Sequence, residues 1–79
     1  MKDLDLGKKL IKKKIPLVSN SPGVYRMIGK KNQVLYVGKA KNLPKRLKDY
    51  ALSKNLPIRT NRMLALTNNL EIVTTSSEA

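Results

Sequence analysis

Three tyrosines, Tyr25, Tyr36 and Tyr50, are the only aromatic side chains in the sequence. Two of them sit in nearly mirrored tripeptides, Gly23-Val24-Tyr25 and Tyr36-Val37-Gly38. Lys39 follows the second tripeptide, and Arg46 stands one helical turn before Tyr50. A phenol titrates near ~10 in water, and nearby cations favour its charged form. A tyrosine held among Lys39 and Arg46 could therefore take a proton from water at neutral pH. Arginine adds a planar fork of donors that stabilises charge on a phosphoryl group. Together these groups could hydrolyse a phosphodiester, given a divalent cation to polarise the phosphate and a carboxylate to hold it.

Composition narrows the chemistry further. There is no histidine and no cysteine, so catalysis near neutral pH must use tyrosine, lysine, a carboxylate or metal-bound water. The five carboxylates, Asp3, Asp5, Asp49, Glu71 and Glu78, form no pair with metal-ligand spacing. Without cysteine there is no disulfide framework and no thiolate metal site. The net charge is +12 on 79 residues. So strong a single-sign field on a single small domain attracts polyanions, nucleic acid first among them. Solubility alone is the bland explanation. An anionic membrane fits less well, because no amphipathic helix carries bulky aromatic anchors. No apolar run approaches spanning length and no signal peptide is visible, which fits a cytoplasmic protein.

The elements that would position these groups read as an α+β domain of order β-β-α-α-β, with helices on one side of a small three-stranded antiparallel sheet. Residues 1–20 read as a lead-in with a short helix from about Leu4 to Lys14, ended by Pro16, and residues 21–79 as the domain proper. Gly23 to Ile28 and Gln33 to Lys39 read as two strands. A four-residue loop at 29–32, with Gly29 and Asn32 tolerant of positive φ, would place Tyr25 opposite Tyr36. The flanking glycines would let something approach the backbone closely. Asn42 is a good cap for a helix whose buried stripe is Leu43, Leu47, Tyr50 and Ala51. A second helix follows with Met63, Leu66 and Ile58 as its core candidates, stopped at Asn68-Asn69. "LEIVTT" is the last strand by its β-branched content.

The string from Gly23-Val24-Tyr25 through Tyr36-Val37-Gly38, Lys39-Ala40-Lys41-Asn42-Leu43, Arg46 and Tyr50 resembles the GIY-YIG nuclease family. "SPGVYRM", "VLYVGKAKNL", "RTNRM" and "VTTSSEA" are similar to its branch at the N-terminus of the C subunit of the bacterial UvrABC excision nuclease. The likeness spans Pro16 to Ala79. It implies a GIY-YIG fold and Mg²⁺- or Mn²⁺-dependent cutting of damaged DNA on the 3′ side of a lesion, in nucleotide excision repair. It also implies roles. Tyr25 would be the general base toward water. Tyr36 would support it and help arrange the metal-bound water. Lys39 would assist the phenol and touch the phosphate, Arg46 would stabilise transition-state charge, and Tyr50 would hold the site together. Gly23 and Gly38 are the motif glycines, and Lys41, Lys45, Arg59 and Arg62 are the expected DNA contacts.

Two departures matter. The family's metal-holding glutamate falls beyond the "SEA" at the end of this chain, and Glu78 aligns with an earlier glutamate of that motif. The 79 residues therefore read as an N-terminal fragment that holds no metal securely and is inactive alone. The family's second nuclease domain, which makes the 5′ cut, and its UvrB-contacting segment lie outside the resemblance. A basic nucleic-acid-binding module without chemistry is the alternative, with the tyrosines packing or stacking on bases. A structural or ribosome-associated basic protein fits the charge but leaves the paired tyrosines unexplained.

Overall fold

The computed structural model describes residues 2–75. Glu78, aligned above with a family glutamate, lies outside the described residues. The chain runs α1 (Lys2–Lys14), a single 3-10 turn (Ile15–Leu17), β1 (Gly23–Gly29), β2 (Val34–Ala40), α2 (Leu43–Leu52), α3 (Ile58–Leu66) and β3 (Thr67–Thr74). The strands form one antiparallel sheet in the order β2-β1-β3. This is the expected α+β arrangement.

Alternation along β1 decides what the sheet buries. Tyr25 and Met27 point to one face and are fully buried, while Arg26 between them is exposed. Leu70 of β3, paired with Met27, joins them. Ile11, Leu43, Leu47 and Leu64 from the three helices complete the core. Full burial of each such side chain contributes about 1.5–3 kcal/mol. The opposite face is open to solvent, with Val37 and Val73 exposed around an Arg26–Glu71 ion pair. That pair is half-exposed, so it adds little stability.

The register between β1 and β2 differs from the sequence-based expectation. Tyr25 pairs with Gly38 and Met27 with Tyr36, while Ile28 pairs with Val34. Leu35 is the extra residue of a bulge beside Met27 and Ile28, which shifts the pairs beyond it by one residue. The turn supplies the other residue of the shift: Gly29, not Ile28, closes the loop against Gln33. The N–H of Gly29 donates to the Gln33 carbonyl at 2.8 Å, and that of Asn32 to the Gly29 carbonyl at 3.0 Å. Asn32 takes the positive φ, at 63°.

The helix α2 forms as its sequence dictates. The Asn42 side chain accepts the Lys45 backbone N–H at 3.1 Å, and Pro44 occupies the first turn. Leu43, Leu47 and Tyr50 are buried, as the periodicity predicts. At its other end Lys8 donates to the Ser53 carbonyl at 2.9 Å, a cation on a helix C-terminus. The core of α3 is corrected. Leu64 is its buried residue, while Ile58 and Leu66 are 73% and 61% exposed. Strand β3 then begins directly at Thr67, so Asn68 and Asn69 lie within it rather than forming a stop. The Thr67 hydroxyl donates to the Met63 carbonyl at 2.8 Å and closes the helix end.

The N-terminal helix is packed rather than appended. Ile11 is fully buried, and α1 crosses α3 so closely that a Cβ on Gly7 would overlap the Leu64 carbonyl. Only a residue without a side chain allows that approach. Composition gave Gly7 no role, because its partner lies far along the chain.

Candidate active site

The three tyrosines do converge, by a route the expected register did not provide. In the observed pairing, Tyr25 and Tyr36 are diagonal neighbours on one face of the sheet, a spacing that long aromatic side chains still bridge. Their ring centroids lie 6.1 Å apart. Tyr50 approaches from α2, with its ring edge-on to Tyr25 at 5.8 Å. The Tyr25 and Tyr50 hydroxyls are hydrogen-bonded at 2.8 Å, and either can donate.

What the glycine of the second tripeptide admits is Tyr25 itself. The Tyr25 ring lies across Gly38, and a Cβ built there would overlap its Cζ and Oη. At Gly23 a Cβ would meet the Val73 carbonyl and the Leu43 side chain, so that glycine seats β1 under α2 and against β3.

Arg46 sits on the exposed side of α2, one turn from Tyr50. Its guanidinium carbon lies 5.4 Å from the centre of the Tyr50 ring, a cation–π contact. Its Nε donates to the Tyr25 hydroxyl at a long 3.4 Å. These two contacts orient the guanidinium without engaging its terminal nitrogens, which make no hydrogen bond among the described residues. The bond to Tyr25, and the attraction of that phenol, raise the Arg46 pKa above its ordinary value, so it stays charged at any working pH.

Tyr50 moves the other way from the cation-lowered phenol anticipated for this cluster. Burial pushes its pKa up, the hydrogen bond with Tyr25 adds to that, and the opposing pull of Arg46 is smaller. Tyr50 is therefore a neutral hydroxyl at neutral pH. The sign has a measurable consequence. An unfolded tyrosine ionises near ~10, whereas folded Tyr50 resists ionisation. Stability is intact below that value and falls as pH rises from there toward the raised value of the folded state. In an alkaline denaturation series, Tyr50→Phe is expected to flatten this decline. An unchanged slope would show that the buried hydroxyl does not titrate as described.

Exposure separates the remaining phenols. Tyr25 is 0% exposed and Tyr36 is 41% exposed. Tyr36 and Arg46 are thus the solvent-facing members of the cluster. Lys39 is not brought to the phenols. It pairs with Val24, one residue out of step with Tyr25 and Gly38. Side chains alternate along a strand, so Lys39 belongs to the face carrying Arg26. The predicted ammonium–guanidinium–phenol cluster is in the structure a guanidinium–phenol cluster. Lys41 and Lys45 are exposed on either side of the α2 cap. Arg59 lines the cavity beside Tyr36 and Tyr50, whereas Arg62 lines a separate groove with Ile58 and Leu66. Asp49 and Met63 also line the tyrosine cavity. Sequence reasoning gave neither a site role; their helical spacing from Arg46 and Arg59 was the available signal.

Among the described residues, no three acidic, histidine or cysteine side chains come together as metal ligands. Glu71 is on the far face of the sheet, paired with Arg26. Among the described residues, Asp49 is the single carboxylate lining the tyrosine cavity. Magnesium keeps several waters and is held through one or two carboxylates, so Asp49 by itself is a sparse donor set for one. No helix of the described residues is long and apolar enough to cross a membrane.

Residues 21–79 match the UvrC-like GIY-YIG domain family. The chain is 47% identical over 73 residues to UvrABC system protein C of Rhodospirillum rubrum, covering 92% of this chain and 11% of that protein. It is 47% identical over 77 residues to the same protein of Sphingopyxis alaskensis, covering 98% and 12%. The chain thus spans about a tenth of the length of the curated relatives it matches. Among solved structures it resembles the GIY-YIG N-terminal endonuclease domain of UvrC from Thermotoga maritima bound to its catalytic divalent cation, magnesium. The TM-score is 0.73 at 34% identity, covering 86% of this chain and 73% of that one.

Proposed function

The chain belongs to the UvrC-like GIY-YIG domain family, and from that premise we propose that it is the part of a DNA endonuclease that makes the 3′ incision during nucleotide excision repair in the cytoplasm. The observation carrying this reading is the joint placement of Tyr25, Tyr36, Tyr50 and Arg46 around one opening. Damaged duplex DNA is the substrate, and UvrB is the partner of the longer protein.

The chemistry follows from the geometry. Arg46 binds the scissile phosphate through its terminal nitrogens, in the two-pronged manner its fork allows. It then holds the extra charge of the pentavalent transition state. Tyr36 meets the attacking water. This departs from the role that the family resemblance gives Tyr25, and the reason is burial: a phenol with no exposed surface does not meet bulk water. Tyr25 instead anchors Arg46, and Tyr50, with its raised pKa, stays protonated to hold Tyr25 in turn. Lys39, Lys41 and Lys45 add to the field that draws the phosphate backbone in.

Magnesium, which the Thermotoga domain binds, would polarise the phosphate when bound. The described residues gather no cluster of three such ligands; in this reading a further carboxylate, the one the family resemblance puts past Ala79, joins them before cutting occurs. With Mg²⁺ and supercoiled DNA, the 79 residues alone are expected to nick little or not at all. A chain lengthened past Ala79 to include the family's glutamate is expected to nick. A lengthened chain that binds DNA with a steep salt dependence yet never cuts would favour the non-catalytic nucleic-acid-binding module instead.

A further inference from the structure

The tyrosine cluster opens into a cavity of about 430 Å³, within the range of small-molecule sites. One wall carries Tyr36, Arg46, Asp49 and Tyr50. The other comes from the α2–α3 connection and the first turns of α3, with Leu56, Arg59 and Met63 among its residues. The two faces of α3 are therefore unequal. Arg59 and Met63, four apart, look into the cavity, whereas Ile58, Arg62 and Leu66 line a different groove.

The chemistry of this wall matches one kind of guest. Leu35, Leu56 and Met63 offer an apolar surface, and Tyr36 offers a partly exposed ring. A flat, apolar, aromatic body fits between them. Two guanidinium groups on opposite sides, Arg46 and Arg59, call for an anion attached to that body. Asp49 can accept from an exocyclic amino group, as carboxylates do from cytosine, and it keeps the anion toward the arginines.

We infer that this cavity receives one unpaired nucleotide next to the bond that is cut, with its base between Tyr36 and the wall of Leu56 and Met63 and its phosphate on Arg59. The inference rests on the nuclease reading above and adds a specificity element to it. Taking a base out of the stack costs least where the duplex is already damaged or unpaired. A site that demands an extruded nucleotide beside the scissile phosphate therefore favours distorted DNA by its own shape. Arg59 is a specificity-determining residue in this account, while Arg62 is not.

The chain has three methionines, so methyl-¹³C methionine labelling gives a sparse spectrum with Met63 in the cavity and Met27 in the core as a fold control. The probes are deoxycytidine 5′-monophosphate, deoxycytidine and inorganic phosphate. The nucleotide is expected to move the Met63 methyl upfield by ring current and leave Met27 in place. Phosphate at the same concentration should leave Met63 unmoved. Arg59→Ala should weaken the nucleotide's Kd about tenfold, the loss of one charge-assisted contact. Arg59→Lys should fall between, and Arg62→Ala should match the parent. Equal losses in the Arg59 and Arg62 variants would reduce the effect to general attraction and overturn the proposal. A short duplex with one bulged nucleotide tests the cavity and the nuclease centre separately. If it perturbs the Tyr36 ring but never Met63, the cavity assignment falls and the nuclease reading stands. If it perturbs neither, both fall.

Discussion

Arg46→Ala is expected to slow phosphodiester cleavage by about 10²–10³-fold in the lengthened chain, the loss typical when a preorganised donor to transition-state charge is removed. Stability should change less. Arg46 lies on an exposed helix surface, its bond to Tyr25 is long and its contact with the Tyr50 ring is a cation–π contact at 5.4 Å, so removing it costs about 1–2 kcal/mol. That split between rate and stability is the diagnostic. Arg46→Lys keeps the charge but loses the fork that pairs with two phosphate oxygens, so it should recover only part of the rate. The check is single-turnover nicking of supercoiled DNA beside a denaturant melt of each variant. A large loss of stability in Arg46→Ala would mean that the residue supports the fold and that its catalytic role was misread.

Gly38→Ala carries the largest expected effect on the fold near the site. Alanine in a strand is normally worth about 0.5–1 kcal/mol more than glycine, so a neutral site would gain stability. Here the new methyl would occupy the space of the Tyr25 ring. The ring cannot swing aside, because it is fully buried and its hydroxyl is tied to Tyr50 and Arg46. Overpacking of this kind costs about 1–3 kcal/mol, which exceeds the intrinsic gain. The midpoint of chemical denaturation should fall, and the Tyr25–Tyr50 bond should break with it. A stabilised variant would show that the tyrosine is not seated on the glycine.

The mirrored tripeptides were legible in the sequence as the centre of the chain's chemistry, but their pairing was not. Counting back from a four-residue turn puts Tyr25 opposite Tyr36, two residues from the observed pairing: nothing in "NQVLYVG" marks Leu35 as the residue that bulges, or Gly29 rather than Ile28 as the one that closes the loop against Gln33. The observed shift puts Gly38 under Tyr25 instead, which explains why the second tripeptide ends in glycine. Lys39 is decided by alternation alone: it stands three residues from Tyr36, an odd spacing, so it lands on the other side of the sheet in either register. On α2 the local signals sufficed: the Asn42 cap and the 43, 47, 50 stripe needed no tertiary information. On α3 they did not. Ile58, Leu64 and Leu66 are equally apolar, and which one is buried depends on where α1 crosses, at Gly7. Asp49 and Met63 escaped notice because a cavity wall is assembled from elements whose mutual placement the sequence does not state.

The central claim is that an exposed phenol, backed by two buried ones and a fixed guanidinium, forms a hydrolytic centre. Its most direct test is the single-turnover rate of Mg²⁺-dependent nicking by the lengthened chain and by its Tyr36→Phe variant. That change removes one half-exposed hydroxyl, for which no hydrogen bond is found among the described residues, and should leave the denaturation midpoint where it was. The account predicts a rate at least about 10²-fold lower, the contribution of a positioned proton-transfer group. Cleavage at the parent's rate by Tyr36→Phe would contradict it.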